Sequence, residues 1–430
     1  MNILRKISMA AAAAALCFLL SVTGMGRDAA AQEKQITLSV WSYSDELRDL
    51  INRFEAENRG ITVELSVLQY EDYLNKLLPV LKAKESTPDV FVGESGNIGN
   101  FLKDGIWEDL TSAPYKADVS DMFPYMLDAA RDSSGKLRAL GWQVWIGGFY
   151  YRRSLAKQYL GTDDPEKIGE MLSTEDKFIA TGLRLKDKSQ GKIKLLAGWE
   201  DYMRYALAAR EHAFVDDSGH FVPDDAVVRF FAVAKVLHEQ KLTAGCRMWS
   251  PDWFDGMQKE KDAEVFGYSF PLWGFTYILK NQAPHTDGDW AVCRGPESYF
   301  WGGSWLGINS NSKNKAAAWE FIRFVTLNRD TLEWWANEKK ECVNSKTVMN
   351  KLKNEMTDVF LAGQKYFKYF CDEAPKINGN LLSTYDTKIE PLLINAIADY
   401  LEGGGASKDA IRRFIREVHE EFPEIGMEEK

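Results

Sequence analysis

Fourteen tryptophans stand in this chain of 430 residues, and several lie beside glycine or polar residues instead of inside apolar stripes. Trp41 and Tyr43 close an apolar run, Trp142 and Trp145 flank Gln143, and Trp199 sits between Gly198 and Glu200. Trp273 precedes Gly274, and Trp301 and Trp305 bracket Gly302-Gly303-Ser304. An indole offers a flat apolar face at small rotamer cost and an N–H donor at its edge. That pairing suits a guest with apolar C–H faces and a hydroxyl rim, as a pyranose ring has. Taken singly, each of these tryptophans also fits core packing. Trp319, Trp334 and Trp335 lie in helical sequence and, with Trp107 and Trp290, read as packing residues, while Trp249 and Asp252 are further candidates for a site. Among polar partners, Glu94 follows an extended run directly, and a carboxylate accepts from two adjacent hydroxyls. The same Glu94 also reads as a charge at the start of a short helix near Ile98. Gln143 donates and accepts through one side chain.

Other constellations fail on spacing. His238-Glu239 and His419-Glu420 open a zinc-protease motif, but Leu242 and Pro423 stand where the second histidine belongs. Gly93-Glu94-Ser95-Gly96 approaches a nucleophile elbow, yet Asn97 replaces its last glycine, and Gly302-Gly303-Ser304 fails in the same way at Leu306. Asp216-Asp217-Ser218-Gly219 lacks calcium-loop spacing and reads as a turn. No catalytic residue, metal ligand or cofactor is expected. A glycoside hydrolase, with two carboxylates about 5 to 9.5 Å apart in an aromatic cleft, is the competing reading from a different class.

The elements that would position these residues are clearest between Ile36 and Val92. Ile36 to Tyr43 alternates and is rich in β-formers, so it predicts a strand. Ser44 is placed to cap a helix striped by Leu47, Leu50, Ile51 and Phe54, which Gly60 closes. Ile61 to Val67 predicts a second strand, Tyr70, Leu74, Leu77, Leu78 and Leu81 stripe a second helix, and Pro88 to Val92 opens a third strand. Strands joined by crossover helices make a parallel sheet, whose ligands gather beyond the strand carboxyl ends. Near the C-terminus, Ile389, Leu392, Leu393, Ala396, Ile397 and Tyr400 stripe one helix, Gly403-Gly404-Gly405 ends it, and Ser407 is placed to cap a last one.

The order of these phrases resembles the extracellular solute-binding proteins of bacterial ABC importers, in the sugar-binding group that includes maltose-binding protein. The phrases are the first strand ending at Trp41, Phe54-Glu55-Ala56-Glu57-Asn58, Gly60-Ile61-Thr62-Val63, the helix with Tyr73, Lys76 and Leu77, and Thr87 to Val90. Leu137 to Leu155 looks like the family's first crossover, with Gly141 in place of a proline and Arg152 in place of an asparagine. Asp289 to Ile322 looks like the later return, through Pro296, Gly302-Gly303, Ser312-Lys313-Asn314 and Ala316. The resemblance implies an α/β, two-lobed periplasmic binding protein fold of the type II kind, each lobe a mainly parallel sheet flanked by helices, with a three-segment hinge. It places an N-terminal lobe at 32–141 and 302–341, a C-terminal lobe at 146–300 and 345–430, and hinge segments near 142–145, 301 and 342–344. Gly147-Gly148, Gly302-Gly303 and the polar run Glu341 to Ser345 lie beside these crossings. Carried over by position, the cleft would be lined by Trp41, Tyr43, Glu94, Ser95, Trp142, Trp145, Trp199, Trp273, Trp301, Gly302, Gly303, Ser304 and Tyr385, with Gln143 as a polar partner. Asp89 would support neighbouring strands. The implied function is carbohydrate binding, of an oligosaccharide by the wealth of tryptophan, and delivery to permease subunits of an ABC importer. A non-sugar solute is the alternative ligand, and a monomer is expected.

Length and charge agree with this. Four hundred and thirty residues and 45% hydrophobic content suffice for two packed cores. Arg5 and Lys6, the apolar run Met9 to Val22 and Ala29-Ala30-Ala31 form a secretory signal, 1–31, cleaved near Ala31/Gln32. Cys17 follows Leu16, where a lipid-attachment signal wants a small residue, so a soluble periplasmic protein is favoured over a lipoprotein. No later stretch approaches about 18 consecutive apolar residues. Starting from 53 basic and 63 acidic side chains, cleavage leaves a net charge of about −12. Such a surface disfavours nucleic acid and anionic membrane. Cys246, Cys293, Cys342 and Cys371 remain, with spacings of neither a redox pair nor a zinc ribbon, and their pairing stays open.

Overall fold

The computed structural model describes residues 35–102, 105–216, 218–221, 223–259 and 263–427. The expected signal segment, 1–31, with Cys17 and the expected cleavage site, lies outside them. Alternation at the start of the described chain becomes strand β1, Ile36–Ser42, whose Leu38, Val40 and Ser42 are buried. The helix Leu47–Glu57 follows, with Leu47, Leu50, Ile51 and Phe54 on its buried face. It starts later than a Ser44 cap requires. Glu46 occupies the cap position without a capping side-chain bond, and Ser44 instead donates its N–H to Ser42 Oγ at 3.1 Å. Strand β2, Ile61–Val67, the helix Tyr70–Lys82 and strand β3, Val90–Glu94, complete the predicted alternation.

Strand β4, Leu140–Gly141, precedes β5, Gly147–Arg152, and then β6, Lys194–Leu196, and β7, His220–Phe221. Four more follow: β8, Val265–Pro271, β9, Trp290–Cys293, β10, Ser304–Ile308, and β11, Gly426–Met427. One sheet has the order β2-β1-β3-β10-β4, a second β6-β8-β5-β9, and β7 pairs with β11. Both larger sheets are mixed, not mainly parallel. In the first, β1 runs parallel to β2 and β3, while β10 is antiparallel to β3 and β4. In the second, β6 and β8 are parallel, and β5 is antiparallel to β8 and β9. Helical crossovers carry β1 into β2 and β2 into β3 in the same direction, so all three run parallel. β10 enters the sheet at the carboxyl end of β3, with Ser304 opposite Glu94, so it runs the other way.

β5 is buried along its whole length because its sheet is covered on both faces. Tyr150 joins one apolar cluster, which continues into the first lobe, while Phe149 and Tyr151 join the other. Asp89 is structural: its carboxylate accepts from the Ser39 N–H at 2.9 Å and the Ser312 hydroxyl at 2.5 Å. The terminal helices Asp386–Gly403 and Ser407–Glu421 bury Ile389, Leu393, Ala396, Ile397, Phe414 and Val418. Ser407 is the first helical residue and makes no cap bond, so that expectation does not hold either. Trp107, Trp290 and Trp335 are buried packing residues, and the four cysteines from Cys246 to Cys371 are free thiols. No helix among the described residues is long and apolar enough to cross a membrane.

Three chain segments run side by side between the two large sheets. Gln143 bridges to Val343, Ile146 to Phe300, and Trp301 donates its N–H to the Trp145 carbonyl at 3.1 Å. Asn344 and Val144 exchange backbone bonds with Trp142 and Cys342.

Candidate ligand-binding site

The edges of the two sheets face each other beside these segments. Tyr43 follows the last residue of β1, and Glu94 is the last residue of β3. Because β10 runs antiparallel to β3, its first residue, Ser304, pairs with Glu94. Tyr43 Oη and Ser304 Oγ share a hydrogen bond of 2.6 Å. From the other sheet, β8 ends at Pro271, Trp273 follows, and the helical turn Gly274–Leu279 carries Tyr277 one turn further on. Trp145 and Trp301-Gly302-Gly303 come from two of the crossing segments. With Glu46 and Tyr70, these residues line a cavity of about 280 Å³. A larger groove, about 670 Å³, lies near Tyr115 and Trp319 and reaches Asn344 and Ser345, but none of the residues at the facing sheet edges line it.

The aromatic wall is tightly organised. Trp273 Nε1 donates to the Trp301 carbonyl at 2.8 Å, and the two rings meet edge to face at 5.2 Å. Trp249 stacks on Trp273 at 6.3 Å with planes 18° apart, and is 42% exposed. The Arg204 guanidinium lies 4.1 Å over Trp301 and is held by both carboxylate oxygens of Glu390, at 3.0 and 2.9 Å. Gly302 has φ +89°, and a Cβ there would stand 3.0 Å from Trp273 Nε1. Only glycine lets the backbone approach the indole this way.

Two carboxylates face the cavity. Glu94 accepts from the Gly96 N–H at 2.7 Å, the Tyr70 hydroxyl at 3.2 Å and the Ser95 hydroxyl. Burial still raises its pKa, against the pull of these donors and of Arg204. Burial, then the charge of Glu94, likewise raises the Tyr43 phenol. Glu46 is pushed up to about 7, first by burial and then by the charge of Glu341, against a hydrogen bond from Gln143. Gln143 Nε2 reaches Glu341 at 3.0 Å and Glu46 at 3.5 Å. Glu341 also accepts from Tyr277 Oη at 2.5 Å and Trp335 Nε1 at 3.0 Å, and burial raises its pKa.

Of the residues expected at a site, Tyr43, Glu94, Trp145, Trp273, Trp301, Gly302, Gly303 and Ser304 line this cavity. Six others do not. Trp142 and Gln143 are 1% and 0% exposed, sealed where the crossing segments pack, although Gln143 reaches the Glu46 carboxylate. Ser95 is buried against Glu94. Trp41 packs on the first core, Trp199 leans on Phe230 at 5.8 Å, and Tyr385 meets Phe422 edge to face at 5.3 Å. These last three pack against apolar neighbours on their own lobes and are half-buried there. Trp305 is also structural, donating Nε1 to the Met126 carbonyl at 2.8 Å. Sequence reasoning missed Glu46, Tyr70 and Tyr277. The i, i+4 spacing of Trp273 and Tyr277, which puts both on one helical face, was the available signal for the last.

A model of bacterial extracellular solute-binding proteins matches residues 49–347. The fold is also similar to that in the crystal structure of an extracellular solute-binding protein of family 1, with TM-score 0.79 and 17% identity over 90% of this chain and 99% of that one. The sugar-binding protein MalE of the phytopathogen Xanthomonas citri superposes with TM-score 0.72 at 17% identity, covering 89% of this chain and 96% of MalE. The ABC-transporter-associated binding protein of B. animalis subsp. lactis Bl-04, in complex with β-1,6-galactobiose, gives TM-score 0.67 at 20% identity over 91% and 99%. At these identities the likeness is one of fold, and the fold is two-lobed.

Proposed function

Because the chain belongs to the bacterial extracellular solute-binding proteins, we propose that it captures a carbohydrate in the cleft between its lobes and delivers it to the membrane permease of an ABC importer. Family and fold are those of binding proteins, not enzymes. One observation carries the carbohydrate reading: indole plates from the second lobe and the crossing segments face hydrogen-bonding groups at the strand ends of the first, across one cavity. Stacking on apolar ring faces and accepting from hydroxyls are the two contacts a sugar needs. The lobes are proposed as 32–141 with 302–341 and 146–300 with 345–430, swinging about 142–145, 301 and 342–344. Sugar bridging both lobes favours the closed form by its differential affinity. The protein would act as a monomer in the periplasm, after loss of residues 1–31.

A thermal-shift screen over a glycan library tests this directly, because a guest that binds only the folded state raises its melting point. The glycan that does so is expected back intact after long incubation; its shortening would instead reveal a hydrolase. Trp273→Ala and Trp301→Ala should each weaken that glycan's binding about tenfold, or roughly 1–2 kcal/mol, with native circular dichroism retained. Unchanged calorimetric affinity in both variants would remove this cavity from the reading.

A further inference from the structure

We infer that the guest of this cleft carries a protonated nitrogen, as an amino sugar does, and that its ammonium is taken up by the cavity that Glu46 and Glu94 line. This rests on the carbohydrate reading above and narrows it. The argument begins with charge. The lining includes two carboxylates and neither lysine nor arginine. The neighbouring cations are already engaged: Arg204 is clamped by Glu390 beneath Trp301, and the Lys339 ammonium binds Asp49 at 2.6 Å. Glu94 is held by the neutral donors Ser95, Gly96 and Tyr70, and Arg204, whose charge bears on it, makes its own hydrogen bonds to Glu390. Glu46 has less, a single amide N–H at 3.5 Å.

Gln143 stands behind the lining, fully buried, with its amide nitrogen spent on Glu341 and Glu46. Burial disfavours the ionised form of both cavity carboxylates, Glu46 and Glu94. An ammonium in the cavity offsets that cost with opposite charge as well as N–H donors, whereas a neutral polyol supplies donors alone. The rings of Trp273 and Tyr277, which also line the cavity, favour a cation again through the ring quadrupole.

The test compares matched probes by calorimetry at pH 7: glucose, N-acetylglucosamine and glucosamine, and their β-1,4-linked dimers. Each series keeps the ring and changes the charge at one position. The amine-bearing member is expected to bind about tenfold more tightly than both neutral ones, and Glu94→Gln and Glu46→Gln should each reduce that preference to about threefold or less. Equal or tighter binding of the neutral sugars overturns the inference and leaves the carbohydrate reading standing. So does a preference untouched in both variants. Heat from choline or spermidine with none from any sugar keeps the charged guest and removes the carbohydrate. Silence from every probe, neutral and charged, overturns both.

Discussion

At Glu46, burial and a neighbouring charge both work against the ionised form. The folded protein holds its proton up to about pH 7, whereas a free glutamate gives it up near 4.5. Between those two values the unfolded chain releases a proton that the folded one keeps, so the protein loses stability as pH rises from about 4.5 to about 7. Above that window the penalty is constant, and below it there is none. Glu46→Gln should therefore stabilise the protein at pH 8 by about 1–3 kcal/mol and leave it unchanged at pH 4. Urea denaturation at the two pH values reads this, and equal midpoints at pH 8 would show that the carboxylate is not confined. The same residue marks where the site was illegible. Its neighbour Ser44 carries a capping signature, so Glu46 reads as an ordinary first-turn charge. Only the later start of the helix at Leu47 turns the carboxylate toward Gln143. Trp142 and Trp199 mislead in the opposite sense: polar neighbours in the chain suggest exposure, but Trp142 is sealed where its segment runs along Asn344, and Trp199 leans on Phe230, both far away in sequence.

Elements fared better where their signals are local. From Ile36 to Glu94 the period of apolar residues alone places three strands and two helices within a few residues, because each buries its own stripe against the next. Strand direction in the sheets is a different matter, since β8 and β10 take theirs from partners over a hundred residues away. The glycine pair ahead of β10 is an element-level device whose purpose becomes visible only in three dimensions. Gly302→Ala forces a left-handed residue, at roughly 1–2 kcal/mol, and drives a methyl against the Trp273 indole, which its bond to Trp301 pins in place. Gly161→Ala is the control, since its φ is +81° and nothing lies within 4 Å of the added Cβ. Both variants should lose stability in thermal melts, Gly302→Ala at least as much as the control. Only Gly302→Ala should also lose affinity for the sugar found by screening, and equal affinity in the two would mean that Trp273 does not need its present position.

For the whole molecule, the arrangement of two lobes was legible only through the order of phrases from Trp41 to Ala316, since no composition shift or linker separates them. How the lobes touch was not legible at all. Opposite the crossing segments, the loop after β3 lies against the start of the helix Asp386–Gly403. A Cβ on Gly96 would come 2.7 Å from Thr387 Cγ2, and one on Gly99 would come 2.8 Å from Thr384 Cγ2. These contacts join the first lobe to the second, so swinging about 142–145, 301 and 342–344 must break them. A covalent tie at this point should hold the cleft as it is without replacing any residue that lines it; a Cβ at 96 would stand 3.0 Å from Glu94 Oε2, so the reduced form of the same protein is the reference. Cysteines at 96 and 387 are close enough for a bridge after small adjustment, in a background where the partly exposed Cys246 and Cys371 are replaced by serine. Oxidised, this protein should take up and release its sugar at least about tenfold more slowly than when reduced. Reduction should restore both rates, which separates the tie from any damage done by the substitutions. If stopped-flow tryptophan fluorescence gives the same rates in both redox states, ligand reaches the cavity without parting the lobes, and the three crossing segments are a rigid seam instead of a hinge.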